Sequence, residues 1–559
     1  MTPKKNLLYL ASLVFLLAMP LLGLGSAVGA AQQIPASAII KPASQIEIPP
    51  PQVRTWKEME ADAALEAASS ALKGPQAREI KRFMPVMGAA AYEDMKAQAA
   101  QAGALQAPLA PGVASPGPLA ATTLTNPVNF EGVDAVTAGN FRPPDTHGAA
   151  GLNHFVEITN SHIDIYLKAA PNTRVQGVSL ASFFGYATRT LFDPRVVYDP
   201  GFNRWIMTAD ARAESVTVQY FFIAVSQTTD PLGSYYIYRV NVSNGFGADN
   251  GVQWDYPQVG FDQNAVIFTA NFFNSAGGFI DARMFTVAKS LLYNGPGQTL
   301  SPTLFTGLAG TLTPPIVLDT NPNTYLVVAD APDNKVTLYT LTNSAADPPT
   351  LSAAVTIPVP AFAIPPSATQ PGTAATLDTL EGRFVNASTQ TGNSLFQVHT
   401  INIGGYARPR FYEFDTVNKV VLQSGTFAGS GTSHDFNASI AANRFKDVFV
   451  TWSSTDPTNS VNAEVRFSGR LHTDTAGLIP SPGSLLYGSN TFYNVTGSGT
   501  QRWGDYSAVS LDPADTTGLT AWIVNERILT NTTWGSRIGS IKLPGRRSLV
   551  GPYLLLLLN

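Results

Sequence analysis

Residues 193–226 read DPRVVYDPGFNRWIMTADARAESVTVQYFFIAVS, and they hold one unit of the pattern on which the fold rests. Asp193 opens a run of β-branched and aromatic residues. Asp199, Pro200, Gly201 and Asn203 supply turn chemistry, a second run from Trp205 closes on Thr208-Ala209-Asp210, and a third strand covers Phe221 to Ser226.

The unit recurs along the chain. Its second strand ends in an apolar residue, then often Thr or Val, then often Ala, then a small polar or acidic residue. Further copies are Ile158-Thr159-Asn160, Thr269-Ala270-Asn271, Val328-Ala329-Asp330, Asn386-Ala387-Ser388, Thr451-Trp452-Ser453 and Val524-Asn525-Glu526. Acidic residues mark the unit openings at Asp145, Asp193, Asp255, Asp378, Asp435 and Asp505, and Pro314 to Asp319 opens a weaker copy in the long gap after Asp255. Units of roughly 60 residues with three or four strands each predict an all-β fold, a β-propeller of seven blades with six as the alternative. The last unit lacks an outer strand. Thr123 to Phe130 is expected to supply it, closing the ring and protecting an exposed edge.

Outside that region the composition changes. Lys4 and Lys5, the apolar run Leu7 to Leu24 and the small residues Val28 to Ala30 predict a signal peptide over residues 1–30, with an uncleaved anchor as the rival. Residues 31–122 read as an Ala/Pro-rich, partly helical leader, with helical fragments near Trp56 to Leu72 and Glu79 to Gln101 and a low-complexity linker from Gln106 to Ala121. Neither fragment has a deep apolar stripe, so a mobile or loosely docked leader is expected, with a small propeptide or partner-binding helix pair as the alternative. The propeller takes residues 123–543 and a tail 544–559, where Leu554 to Leu558 are too few to span a bilayer. With no cysteine among 559 residues, disulfides and thiolate chemistry are excluded. Net charge is −4 and basic residues are scattered, which argues against a nucleic-acid surface. A secreted or envelope-associated monomer, with no membrane span after signal cleavage, is the expectation.

Three segments carry a family resemblance. Pro143-Pro144-Asp145-Thr146-His147-Gly148-Ala149-Ala150-Gly151, Asp193 to Asp199 with Arg204-Trp205, and Arg502-Trp503-Gly504-Asp505-Tyr506-Ser507 resemble exported bacterial β-propeller proteins described as sialidase-like, over about Phe141 to Leu543. The resemblance implies the fold and an exported address, and glycoside chemistry of sialidase type. The nearest approach to a sialidase Asp-box is Asp199 to Trp205, with Val197 at its Ser position.

In a propeller the segments that open the blades converge on one mouth of the central channel. Asp145, His147, Asp505 and Tyr506 are the candidate catalytic residues, because two carboxylates held close in low dielectric give one acid and one base. Arg195, Tyr256, His434, Asp435, Arg502 and Trp503 are candidate ligand-binding residues, guanidinium groups for an anion and flat rings for a sugar. Asp145, His147, His434 and Asp435 could also ligate a divalent cation, with no metal assigned. The plainer alternative is that Asp193, Asp255 and Asp378 are turn residues tying blades together. A carbohydrate-related role with glycoside hydrolysis at the mouth leads; a non-catalytic propeller binding a glycan, peptide or envelope partner is the alternative, and a metal-dependent hydrolase or lyase comes third.

Overall fold

The computed structural model describes residues 38–70, 78–79, 89–105, 124–243, 253–274 and 276–545. The expected signal peptide, the linker Gln106 to Ala121 and the leucine run near the C-terminus lie outside the described residues. Among the described residues strands take up 52% and helices 8%, so the fold is mostly β.

The strands come as successive antiparallel meanders. The first runs His147–Ala150, His154–Thr159, His162–Leu167, Arg174–Ser179, and the second Leu191–Asp199, Arg204–Ala211, Tyr220–Ser226, Tyr235–Asn241. The third begins at Gln253–Phe261, the fifth at Ser388–Thr391, the sixth at His434–Ala442 and the last at Ala508–Leu511. The fourth is irregular: its opening strand Pro315–Val317 pairs in parallel with the opening strands of the third and fifth, and Asn323–Val328, Asp333–Thr342 and Val355–Phe362 form its antiparallel part. Each opening strand contacts the next in that order, and Ala508–Leu511 contacts His147–Ala150, so the seven form a closed cycle. Thr125–Asp134 pairs antiparallel with Thr533–Lys542 as the outer strand of the last meander. The chain thus closes where the sequence lacked a strand.

Packing between meanders explains the unit read from the sequence. Asp199 Oδ1 accepts the Gly201 N–H at 3.0 Å, and Asn203 takes a left-handed φ of 54° to finish the turn. Trp205 then enters the core shared by the first two meanders, its indole N–H donating to Thr229 O at 2.9 Å. Gly151 is needed there, since a Cβ would come within 2.3 Å of the Trp205 ring.

A bulge recurs near the start of the opening strands. The register shifts between Phe192 and Arg195, Asp255 and Gln258, and Phe436 and Ser439, and Asp193, Tyr256 and Asn437 inside these bulges have φ of 48°, 59° and 49°. The acidic markers are therefore out of step: Asp255 stands one residue and Asp435 two residues before the position that Asp193 fills.

The leader is more firmly held than its composition suggests. Ser44–Gln45 pairs with Thr303 and Leu304, Gln52–Arg54 pairs with Tyr235 to Ile237, and Ile39 bridges Ser352, so the leader extends the outer edges of three meanders. Ile46 and Ile48 are buried in the second and third meanders' core. The helix Trp56–Ser70 packs on Leu180–Phe184, with the Trp56 indole donating to Pro231 O at 2.7 Å. In the helix Ala89–Leu105, Tyr92 donates to Asp378 Oδ1 at 2.5 Å, and Lys96 donates to Thr379 Oγ1 at 2.6 Å, Pro365 O at 2.8 Å and Leu380 O. The expectation of loose docking is corrected: edge pairing and buried anchors hold segments whose helices have weak apolar stripes.

Candidate functional site

The starts of the opening strands collect a polar cluster around the axis. Asp145 accepts the Asp505 N–H at 2.7 Å and the Asn160 amide at 2.5 Å, while the Asp193 N–H donates to Asn160 Oδ1 at 2.7 Å. The Tyr256 N–H donates to Asp193 Oδ2 at 3.2 Å. Last, first, second and third meanders are thereby laced in sequence. Arg195 lies over the Tyr506 ring, 3.4 Å from its centroid, and donates to Val385 O at 2.9 Å, Pro257 O at 3.1 Å and Asn386 Oδ1 at 3.2 Å. Arg383 covers the other aromatic, Tyr256, at 3.9 Å and pairs with Glu381 at 2.6 Å. The Tyr256 and Tyr506 rings meet edge to face at 5.1 Å. Arg502 stands 3.7 Å from Asp505.

Asp145, Asp505, Tyr506, Arg195, Tyr256 and Arg502 are therefore brought together, as the convergence argument requires. The expected open mouth is different. Asp145 is 1% exposed and Arg195 2%, and only Arg502 of the six is appreciably solvent-accessible. Burial, and then the nearby charges of Asp505 and Asp193, raise the Asp145 carboxyl well above the usual carboxylate range. Asp193 is pushed up to about 7 by burial and the neighbouring Asp255. The cluster also contains Asn160, Asp210, Glu381, Arg383 and Glu526, which the sequence reading did not select. Glu526, raised by burial, accepts the Gly504 N–H at 2.7 Å. A signal for some of these existed: Asn160, Asp210 and Glu526 are the polar residues that end the second strand of each unit.

The other predicted residues lie elsewhere. Asp435 accepts from Arg408 at 2.5 Å, Ser433 at 2.6 Å, the Gly429 N–H at 2.8 Å and the Trp452 indole at 2.9 Å, which makes it a tie around the sixth meander. His434 accepts the Ala407 N–H at 3.3 Å, and burial followed by the Arg408 charge lowers it to about 3. Trp503 is buried against Tyr493 and Phe436 and donates to Ser453 at 3.2 Å, so it offers no flat outer surface. The cation set of Asp145, His147, His434 and Asp435 is not assembled, since two members sit in separate networks.

His147 points the way to the open space. Its Nδ1 accepts the Val196 N–H at 3.3 Å, and burial with the Arg195 charge keeps the ring neutral. The ring lines one end of a channel of about 350 Å³ that runs toward the finishing ends of the opening strands. Asn386, Ser439 and Ser507 share this inner end with His147. Small or aliphatic residues such as Val196, Ile316, Ala387 and Val509 form the walls. Arg444, Asp512 and Asp515 belong to the outer part. Asp512 is occupied by Lys168 at 2.5 Å and the Trp522 indole at 2.9 Å.

No family model and no curated protein matches the chain. Among solved structures it is similar to the sialidase of Trypanosoma rangeli, at 10% identity and a TM-score of 0.32, covering 67% of this chain and 57% of that one. The hemagglutinin-neuraminidase of parainfluenza virus 5 matches at 11% identity and 0.34, over 66% of this chain and 94% of that one. The β-propeller domain of the Trilobed protease from Pyrococcus furiosus matches at 8% identity and 0.25, over 51% and 66%. The chain thus spans less than two thirds of the T. rangeli sialidase. Likeness this distant assigns no activity, and the architecture rests on the chain's own strand pairing.

Proposed function

We propose that the chain is a seven-bladed β-propeller that acts as an exported binding protein, taking an extended peptide segment of an envelope partner into the axial channel. The observation that carries this reading is the contrast in chemistry along the axis. The channel offers aliphatic walls and an inner end of uncharged hydrogen-bonding groups, His147, Asn386, Ser439 and Ser507. Pockets of this make-up bind through apolar contact and orient through a few polar groups. Glycoside hydrolysis would need Asp145 and Asp505 facing a substrate, whereas both are buried, and Asp145 accepts hydrogen bonds from its neighbours.

The test is a thermal-shift screen of short peptides and acidic oligosaccharides beside a fluorogenic sialoside assay. Peptides that raise the melting temperature of the parent but not of Ala387→Trp, which fills the channel, are the expected result. Sialoside turnover that Asp145→Asn abolishes would overturn the reading in favour of the sialidase-type enzyme.

A further inference from the structure

Three equivalent positions end the second strands of the first three meanders: Asn160, Asp210 and Asn271. Their equivalence follows from the register, since Phe192 faces Asp210 as Asp255 faces Asn271. In the first meander Asn160 Oδ1 accepts the Asp193 N–H of the second at 2.7 Å. In the third, Asn271 Oδ1 accepts the Thr311 N–H leading into the fourth at 2.6 Å, and its amide donates to Thr311 Oγ1 at 2.9 Å. Each is a stitch from an amide to a residue of left-handed φ in the next blade.

The second meander breaks the rule. Asp210 replaces the amide, and the Tyr256 N–H that should reach it donates to Asp193 instead. Asp210 is 0% exposed, and its carboxyl oxygens receive no hydrogen bond of good geometry; the Trp254 indole N–H is the donor that faces them. The Thr208 hydroxyl, on the same face of that strand, is also buried without a partner. A buried carboxylate with no more than one weakly placed donor costs several kcal/mol, so something must compensate it. Arg195 is the cation facing Asp210, and Arg212 and Arg383 face Asp255, but the Arg195 donors go to Pro257, Val385 and Asn386, Arg212 lies over Phe192, and Arg383 lies over Tyr256 and pairs with Glu381.

We infer that Asp193, Asp210 and Asp255 together bind a hard divalent cation, Ca²⁺ or one of similar chemistry, which replaces the missing stitch between the second and third meanders. One carboxylate oxygen from each lies within 4.8 Å of the others. Oxygens placed about 2.3–2.6 Å from a common Ca²⁺ are separated by no more than about 5 Å, so the spacing is of the size that such an ion spans. Three carboxylates supply hard anionic oxygens, the ligand type that selects such ions over softer metals. The cation would join two blades beside Arg195 and Tyr506, and would hold the bulge of each opening strand in place.

The experiment is elemental analysis of protein purified without chelator, followed by melting curves of EDTA-dialysed protein with and without added Ca²⁺ or Mn²⁺. About one equivalent of divalent metal, a melting temperature lowered by EDTA and restored by the ion, and loss of both effects in Asp210→Asn are expected. Background metal content with a melting temperature indifferent to EDTA would overturn the inference and leave the three carboxyls sharing protons. Metal retained in a folded Asp210→Asn protein would overturn it too, by placing the ion elsewhere. If Asp210→Asn does not fold, the parent protein's metal content and EDTA response still decide.

Discussion

The two ends of the axis are built on opposite principles although the same strands make both. Where the opening strands begin, charged and aromatic side chains fill the axis, stack on each other and are laced to neighbouring backbones. Where the strands finish, small and aliphatic residues leave the axis empty. The difference teaches that a concentration of costly polar groups at a mouth need not be a reactive site: in a ring of sheets it can be the hub that sets the angle between blades. Polar groups specify one arrangement only when satisfied, and most of those at the hub are. Some are not, among them the Tyr256 hydroxyl and Glu526 Oε1, and the Asp210 carboxylate is the one that the cation inference addresses.

The largest expected effect comes from removing what covers the outer edges and the hub. Deleting residues 38–105 strips Ile46, Ile48, Trp56, Met59 and Tyr92 from buried positions, each worth roughly 1.5–3 kcal/mol, and frees three sheet edges. The loss is comparable with the whole stability of an ordinary domain, about 5–15 kcal/mol. Chemical denaturation should show no cooperative transition, or one at much lower denaturant. A truncated protein with the parent midpoint would mean that the leader is dispensable and the hub self-sufficient.

Arg195→Ala compared with Arg444→Ala sharpens the contrast directly. The first removes a buried guanidinium that bonds three groups and faces Asp193 and Asp210, and should cost about 3–5 kcal/mol. The second removes an exposed side chain at the outer channel, whose bond to Thr516 O is 3.3 Å, and should change stability by less than about 0.5 kcal/mol. Equal effects in urea denaturation would erase the distinction between the ends.

How much of this was legible in the sequence depends on what kind of feature carried it. The meanders and the closing strand Thr125–Asp134 show because alternation and turn residues are local. The bulges are less legible, because what recurs is a left-handed backbone that Asp193, Tyr256 and Asn437 all adopt; a search for acidic residues therefore drifted to Asp255 and Asp435. The closed hub could not be read, since burial at the axis is set by Arg195 reaching Val385 and Asn386 nearly 200 residues away. Asp210 was visible as the end of a strand, but only the register shows that it stands where its neighbours have asparagine.

Acid should act through two buried histidines, His147 at the inner end of the channel and His434 in the network around the sixth meander. His434 is held neutral with its pKa near 3 and His147 is shifted the same way, while unfolded histidine titrates near 6.5. A folded pKa below the unfolded one gives stability that is complete above about pH 6.5 and is lost as pH falls toward the folded value. The loss for His434 approaches about 1.4 kcal/mol per pH unit over that window. His434→Gln should flatten the acid limb of a stability–pH curve measured by urea denaturation; an unchanged slope would mean that the ring is protonated in the folded protein.

A small expected change in stability is the most informative about the open end. Ala387 lines the channel and is only half-buried, so its replacement by Trp has empty space to enter instead of packed atoms to displace. Overpacking in a filled core costs about 1–3 kcal/mol, whereas filling an open channel should leave the unfolding free energy within about 1 kcal/mol of the parent. The same enlargement at a packed position near the hub, Ala438→Trp, should carry the full penalty or prevent folding, because Ala438 is buried in the fifth and sixth meanders' core. Measured side by side by denaturant unfolding, the two substitutions separate a channel kept open for an occupant from a gap that the fold merely tolerates. A large loss at Ala387 would mean that the channel wall is as tightly packed as the hub, and the binding role would lose its physical basis.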